Sequence, residues 1–445
     1  MTVTGTQPQA ASAAPERPRV ARQRPRWTEL REVLQLRRPT LNPVERRLGA
    51  ALTIRDLRAV AVRTTPRAVF DYVDGAADAE LTARRNRAAF AAVELVPEYL
   101  SPVDHPDLST RLFGREIAMP LIFAPTGYTR MMHHEGEAAV ARVAARHGLP
   151  YTLSTVGTST VEDVAAAAPG GEHWFQLYLT RNERLNTELL DRALAAGFTT
   201  VVLTVDTPVA GRHPKDMRNG LTIPPSLTLR TLFGMARYPS WALNKLTTAP
   251  ITFASLSAMS GVGGVSDVDG VSGVSGVGGV AGDTIDAVRV ADVVFEPTLS
   301  YEHLAWLRAH WPHRLLVKGI LSPRDARRVV EAGADGVIVS NHGGRQLDRT
   351  PATLTVLPEI REELGPDATV ILDSGVTHGQ DILAARALGA DAVMIGRAYL
   401  YGLMAGGERG VERAVTILRE EYARSLQLLG LNASEAIARH HLRRP

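Results

Sequence analysis

The chain reads as an α/β protein, a (β/α)8 TIM barrel with an N-terminal helical extension and a long insert after strand 4. Three observations predict this. After Pro120, short apolar β-branched runs alternate with amphipathic stretches, and eight such units fit in about 290 residues, the count of a closed barrel. Several amphipathic stretches end in Gly (Gly148, Gly197, Gly333, Gly389), as a helix C-terminus prefers. Each apolar run also ends in polar or Gly residues, where a barrel carries its chemistry. A doubly wound open sheet is the structural rival.

In chain order, residues 1–25 are rich in Ala, Pro, Arg, Gln and Thr and are expected to form a disordered basic tail. Residues 26–445 then make one domain, with the barrel over about 118–410. From Trp27 to Leu100 the pattern is helical. Thr53-Ile54-Arg55-Asp56-Leu57 has the form of an N-cap and first turn, and Pro66 opens a helix containing Phe70, Tyr72 and Val73. Strands are expected at Leu121–Ala124, Tyr151–Ser154, Trp174–Leu179, Thr200–Val205, Leu315–Lys318, Gly336–Ser340, Thr369–Leu372 and Ala392–Ile395. Helices are expected at Glu135–His147, Glu183–Ala196, Pro323–Ala332 and Gln380–Leu388. The connection from Asp206 to Tyr301 exceeds ninety residues, where a βα loop needs a handful. Its front is apolar and aromatic (Leu232-Phe233, Tyr238-Pro239-Ser240-Trp241). Its middle, Ser260 to Gly282, is Gly, Val, Ser and Asp, and the insert of about 209–299 is expected to be mobile.

Composition removes several function classes. The absence of Cys excludes disulfides, thiolate ligands and a Cys nucleophile, and no metal is expected. The net charge of +3 hides an asymmetry: residues 1–50 hold ten Arg and four Glu, so everything after them carries −3. Nucleic-acid binding by the body is therefore not expected. No run approaches the roughly 18 apolar residues of a membrane span, and the N-terminus lacks a secretory apolar region. The expected location is cytoplasmic, peripheral on the inner face of the membrane.

The stretch Gly336-Val337-Ile338-Val339-Ser340-Asn341-His342-Gly343-Gly344-Arg345 runs a buried strand into a Gly-flexible loop bearing His and Arg. A solvated turn is the bland alternative. The other strand ends tip the balance: Ala124-Pro125-Thr126, Ser154-Thr155, Gln176-Leu177-Tyr178, Thr204-Val205-Asp206, Val317-Lys318-Gly319, Asp373-Ser374-Gly375 and Gly396-Arg397. Lys318 is one of three lysines beside 47 arginines, so its position implies a compact charge that a guanidinium does not replace. Together these residues offer a phosphate site, a base (His342), an anion clamp (Arg345) and a cation near developing negative charge.

Ser340-Asn341-His342-Gly343-Gly344-Arg345-Gln346-Leu347-Asp348 resembles the signature of the FMN-dependent α-hydroxy-acid oxidases and dehydrogenases. That family includes glycolate oxidase, mandelate dehydrogenase, flavocytochrome b2 and bacterial respiratory L-lactate dehydrogenases. The likeness extends over about residues 48–430 through Phe70-Asp71-Tyr72 and the strand-end motifs. Arg397-Ala398-Tyr399-Leu400-Tyr401-Gly402 and Pro239-Ser240-Trp241 look most like the quinone-linked lactate dehydrogenases.

The resemblance implies FMN as cofactor and a small 2-hydroxy acid, L-lactate first, as substrate, with quinone or another respiratory acceptor. A soluble oxidase making hydrogen peroxide is the alternative. It implies that His342 takes the substrate proton, that Asp206 steadies the imidazolium, and that Arg345 binds the carboxylate with Tyr72 and Tyr178 adding hydroxyls. Lys318 would face flavin N1 and O2. Ala124, Thr126, Ser154, Gln176 and Thr204 would hold the ring, and Ser340 belongs to the same group. Asp373, Gly375, Gly396 and Arg397 would take the ribityl and phosphate end. Three departures stand out: Arg212 and His213 where the family carries a second substrate Arg, Thr377 where it carries a phosphate Arg, and Val156 for a bulky pocket Trp. The family also implies a homo-oligomer, a tetramer, and the insert is expected to contact the membrane surface.

Overall fold

The computed structural model describes residues 26–33, 41–219, 237–249 and 296–443, and singly residues 2, 24, 251 and 254. The expected tail therefore lies almost wholly outside the described residues, as do Leu232-Phe233 and the Ser260–Gly282 tract. Two compact units are present, residues 1–42 and 43–445. The first contains one described helix, Trp27–Val33.

Eight parallel strands close into a barrel in the second unit. They are β1 (Leu121–Phe123), β2 (Tyr151–Ser154), β3 (His173–Leu177), β4 (Thr200–Thr204), β5 (Arg314–Ile320), β6 (Gly336–Val339), β7 (Thr369–Leu372) and β8 (Ala392–Ile395). Each neighbours the next, and β8 returns to β1 through Val393↔Leu121 and Ile395↔Phe123. The period-two alternation of a strand divides the apolar side chains between two cores. Ile122, Trp174, Val202, Leu316, Ile338, Ile371 and Met394 fill the interior. Phe123, Phe175, Val201, Val317, Val337, Val370 and Val393 face the surrounding helices. A short hairpin, Thr110–Leu112 with Arg115–Ile117, plugs the N-terminal mouth. Its Phe113 stands edge-on to Trp174 at 6.2 Å and lies under the Arg314 guanidinium at 4.6 Å. That leaves the opposite mouth for the site.

In the second unit a short helix, Pro43–Ala50, and then α1 (Ile54–Thr64), α2 (Arg67–Asp74) and α3 (Leu81–Ala91) precede the barrel. Helix α1 starts in the expected capping box, with Asp56 N donating to Thr53 Oγ1 at 3.1 Å and Thr53 N to Asp56 Oδ2 at 3.0 Å. The barrel helices include Gly136–Arg146, Glu183–Ala195, Pro323–Glu331 and Gly379–Ala387. Gly148, Gly197, Gly333 and Gly389 follow them at positive φ.

The C-terminal helical segment, Arg397–Leu429, was not legible as it folds. It breaks at Gly406 and Gly407, the latter at φ +62°. The two arms double back and cross where Gly402 meets Gly410, so closely that a Cβ on Gly410 would lie 1.8 Å from Gly402 O. The second arm packs Val411, Val415 and Leu418 into the outer core, and the first presents its N-terminus to the site. Overpacking of this kind costs about 1–3 kcal/mol and here meets backbone rather than a movable side chain. Gly410→Ala is expected to lose at least that stability, read as a lower midpoint in thermal or urea unfolding.

Candidate active site

A cavity of about 290 Å³ opens at the C-terminal strand ends, with part of its wall supplied by α2 and α3. Its chemistry begins after β6. Ser340 and Asn341 lead into a single tight turn, His342–Gly344, whose three residues have φ of +57°, +66° and +75°. Two of these are Gly; His342 bears the strain itself, as do Tyr128 (+56°) and Ser374 (+85°), which also line the cavity. Asn341 anchors the turn by exchanging 2.8 Å amide hydrogen bonds with Asn86 of α3.

His342 Nδ1 lies 2.9 Å from Asp206 Oδ1. A carboxylate only accepts, so the proton sits on Nδ1 and Nε2 keeps its lone pair, the tautomer a base requires. Burial alone would raise the Asp206 carboxyl, but the charges of His342 and Lys318 hold it below the ordinary carboxylate range. Gly319 (φ +111°) makes this approach possible, since a Cβ there would be 2.6 Å from Asp206 Cβ. The same Gly interrupts the β5–β6 register between Lys318 and Ile320, a bulge beside the site.

Lys318 is 3% exposed. Its Nζ donates to Ser340 Oγ at 2.9 Å and pairs with Asp373 Oδ2 at 3.1 Å, while Ser340 Oγ donates to Asp373 at 2.6 Å. Burial would lower the lysine, yet Asp373 and Asp206 more than compensate, raising Lys318; Asp373 is correspondingly lowered despite its own burial.

At the other side of the cavity Arg345 Nη1 donates to Tyr72 O at 2.5 Å and Gly75 O at 3.1 Å, and the guanidinium lies 4.9 Å over the Tyr72 ring. Of the five N–H groups of a guanidinium, several remain for a ligand. Tyr72 meets Tyr128 edge-on at 6.1 Å, and Tyr178 lines the same wall. Burial raises all three phenols, which keeps them protonated donors.

Of the residues singled out from sequence, Ala124, Thr126, Ser154, Gly375, Gly396 and His213 line this cavity beside those described. Gln176, Ser340 and Asp206 reach it through hydrogen bonds with the lining residues Ser154, Lys318 and His342, and Thr204 stands opposite Lys318 in the barrel register. The structure does not bring Arg212 there: its side chain is 70% exposed and faces Asp78 at 3.7 Å. His213 is occupied too, with Nε2 2.8 Å from Arg345 O and Nδ1 3.4 Å from Asp216, so it holds the Arg345 loop. Arg397 gives its fork to three carbonyls, Val73 (2.9 Å), Gly343 (2.8 Å) and Gly75 (2.7 Å), which makes it a brace between α2 and the His342 turn.

Sequence reading places Tyr128 at the end of the first strand but gives it no role, and it missed Arg87. Arg87, on α3, lines the cavity with Asn86, Thr377 and Arg397, and among the described residues it has no hydrogen-bonded or ion-paired partner. Nothing in its local pattern separates it from the helix's other arginines.

The residues present fit FMN. Among the described residues Gln176 Nε2 and Thr204 Oγ1 are buried polar atoms without hydrogen-bond partners, at the strand ends where a polar ring system would supply them. A Cβ on Gly396 would meet nothing closer than 4.0 Å, leaving open space at the N-terminus of the Arg397 helix, a setting that suits a phosphate.

A closed parallel barrel with a His–Asp pair, a buried Lys and an Arg at its C-terminal mouth is equipped to bind an anionic substrate and take a proton from it, the layout of a barrel oxidoreductase. The sequence profile of FMN-dependent dehydrogenases matches residues 61–444. A Mycobacterium tuberculosis protein named provisionally as an L-lactate dehydrogenase is 45% identical over 423 residues, 95% of this chain and 96% of that one. An L-lactate dehydrogenase of Pseudomonas syringae is 40% identical over 389 residues, 86% of this chain and 96% of that one. Among solved structures, the monotopic membrane protein (S)-mandelate dehydrogenase superposes with a TM-score of 0.79 at 33% identity, covering 89% of this chain and all of that one. The chain belongs to the FMN-dependent dehydrogenase family and is an FMN-dependent α-hydroxy-acid dehydrogenase.

Removing one partner of a buried ion pair strands the other, at about 3–5 kcal/mol. Lys318→Met, which leaves the largely buried Asp373 with the Ser340 hydroxyl but no counter-charge, is expected to destabilise the flavin-free protein by up to that order in chemical unfolding.

Proposed function

We propose that the protein oxidises L-lactate to pyruvate and passes the electrons to a membrane quinone. The observation that carries the chemistry is the His342–Asp206 contact of 2.9 Å in a cavity shared with Arg345 and Lys318. Arg345 holds the substrate carboxylate, and the Tyr72 and Tyr178 hydroxyls orient the rest. His342 Nε2 takes the hydroxyl proton, and Asp206, already ionised, stabilises the resulting imidazolium. Bound FMN supplies the two-electron acceptor. The buried ammonium of Lys318, which lines the same cavity, would offset negative charge gained by a flavin bound there. Lactate is favoured by the names of the relatives and by the three tyrosines crowding the substrate end. The names of the solved neighbours favour a second reading, an aromatic 2-hydroxy acid such as mandelate, with Val156 leaving room for a ring.

Comparing L-lactate with (S)-mandelate, and dye or quinone reduction with peroxide formation, tests the reading. Peroxide as the main product would replace it with an oxidase. His342→Ala should retain FMN yet slow flavin reduction roughly 10²–10⁴-fold in anaerobic stopped flow.

For the phosphate, Arg87 takes the place that Thr377 leaves without a cation. Arg87→Ala should weaken FMN binding to the apoprotein roughly tenfold or more, the scale of one charged hydrogen bond, with riboflavin binding unchanged in fluorescence titration.

Membrane docking rests on the described part of the insert. Among the described residues no helix is long and apolar enough to cross a membrane. The helix Pro239–Leu246 is tied beside the cavity by Trp241 Nε1 donating to Met131 O at 3.1 Å and Arg130 Nη2 to Ala249 O at 2.7 Å. Its Leu243 and Leu246 are 63% and 71% exposed, which suits insertion into a lipid interface. Replacing both by Ser should release the protein from anionic vesicles in a sedimentation assay while lactate-to-dye activity persists.

A further inference from the structure

We propose that Glu98, His440 and His441 form a binding site for a divalent transition-metal ion that fastens the C-terminal end of the chain. Both imidazoles bring Nε2 to 3.2 Å from the same oxygen, Glu98 Oε1. The three donor atoms all lie within 4.8 Å of one another. Ligands about 2.0–2.2 Å from a tetrahedral zinc are separated by roughly 3.3 Å, so the two His–Glu edges already have the length such a site needs.

His441 is the independent observation. The residue is 2% exposed, and its Nε2 is buried without a hydrogen-bond partner among the described residues, approaching Glu98 without the alignment of a bond. Its other ring nitrogen, Nδ1, lies 3.1 Å from Ala438 O. Donating there fixes the tautomer whose Nε2 lone pair faces the carboxylate, the outer-shell arrangement of a metal-bound histidine. A lone pair opposed to a carboxylate is repulsive until a cation lies between them. In the opposite tautomer Nδ1 accepts from Ala438 N at 3.0 Å, and the Nε2–H then faces Glu98 misaligned.

The backbone holds the ligands in place without any ion. Val96 N donates to His441 O at 2.8 Å, and Glu98 N to Leu429 O at 3.0 Å. The first of these bonds continues a two-residue antiparallel ribbon, Glu94↔Arg443 and Leu95↔Leu442. Glu98 and His440 are exposed, so water can complete a tetrahedron around the ion. A bound metal would lock this ribbon, adding a cross-link between residues 342 apart in sequence.

The test uses the chelator-treated holoenzyme, titrated with zinc chloride by calorimetry, with Co²⁺ absorption as a second probe. One saturable equivalent per chain, tetrahedral d–d bands and a zinc-dependent rise in Tm are expected. Glu98→Gln and His440→Ala both alter exposed side chains and leave the buried ring in place. Each should weaken zinc by at least about tenfold, since loss of an outer-shell partner alone costs 10–100-fold, and should abolish the Tm rise. No saturable zinc, or zinc bound equally by both variants through other histidines among the chain's 13, would overturn the site.

Discussion

An ammonium group taken out of water must be neutralised where it stands, and much of this site follows from how the Lys318 charge is met. Asp373 supplies the counter-charge from β7 and Ser340 the linking hydroxyl from the end of β6. Because Ser340 Oγ also accepts from His342 N at 3.0 Å, the network that neutralises the lysine sets the backbone of the residue that faces Asp206. Asp206 in turn is kept ionised partly by Lys318. Four strand ends are thus coupled by charge, and none of these groups can be moved without altering the protonation or position of another.

The barrel was legible because it is written in local pattern. Seven-residue β5 and four-residue β7 differ in length, but both are apolar runs bounded by polar or Gly residues, and expected and observed strands differ by at most two residues at an end. The strand-end residues were legible for a related reason: a barrel sends every strand's C-terminal end to one mouth, so chain position translates directly into location. What stayed hidden depends on contacts across long separations. Sequence offers Arg397 as a phosphate ligand; it lines the cavity, but its second task, bracing three carbonyls from two distant segments, was not readable there. Arg212 and His213 are neighbours in sequence, yet one turns to solvent and the other to a loop carbonyl. Tyr128 looks like a strand-end aromatic, and its place in the wall depends on a left-handed backbone that no propensity predicts. The fold-back at Gly406–Gly407 is hidden because its flanks both read as good helix.

The division of labour between scaffold and strain is also visible. The strands themselves have their apolar side chains wholly buried and supply rigidity. Left-handed non-Gly residues at Tyr128, His342 and Ser374 stand in the cavity wall, each just past a strand. Conformations of this kind cost of order 1–3 kcal/mol and persist where surroundings over-determine them. For His342 those surroundings are the Asn86–Asn341 amide pair on one side and the Asp206 carboxylate on the other.

The tie between α2 and the far end of the barrel has a consequence in time. Tyr72, Val73 and Gly75 leave the ribosome early, but the arginines that hold their carbonyls come 270 to 324 residues later. Contacts so distant in sequence are the slowest to form, because the intervening chain must be ordered before they repay its entropy. The N-terminal wall of the cavity therefore waits, unpartnered, while the whole barrel is made. Only when β8 has closed and Arg397 has docked do the two halves of the mouth meet, so the wall that α2 lends to the cavity is set after the barrel rather than before it.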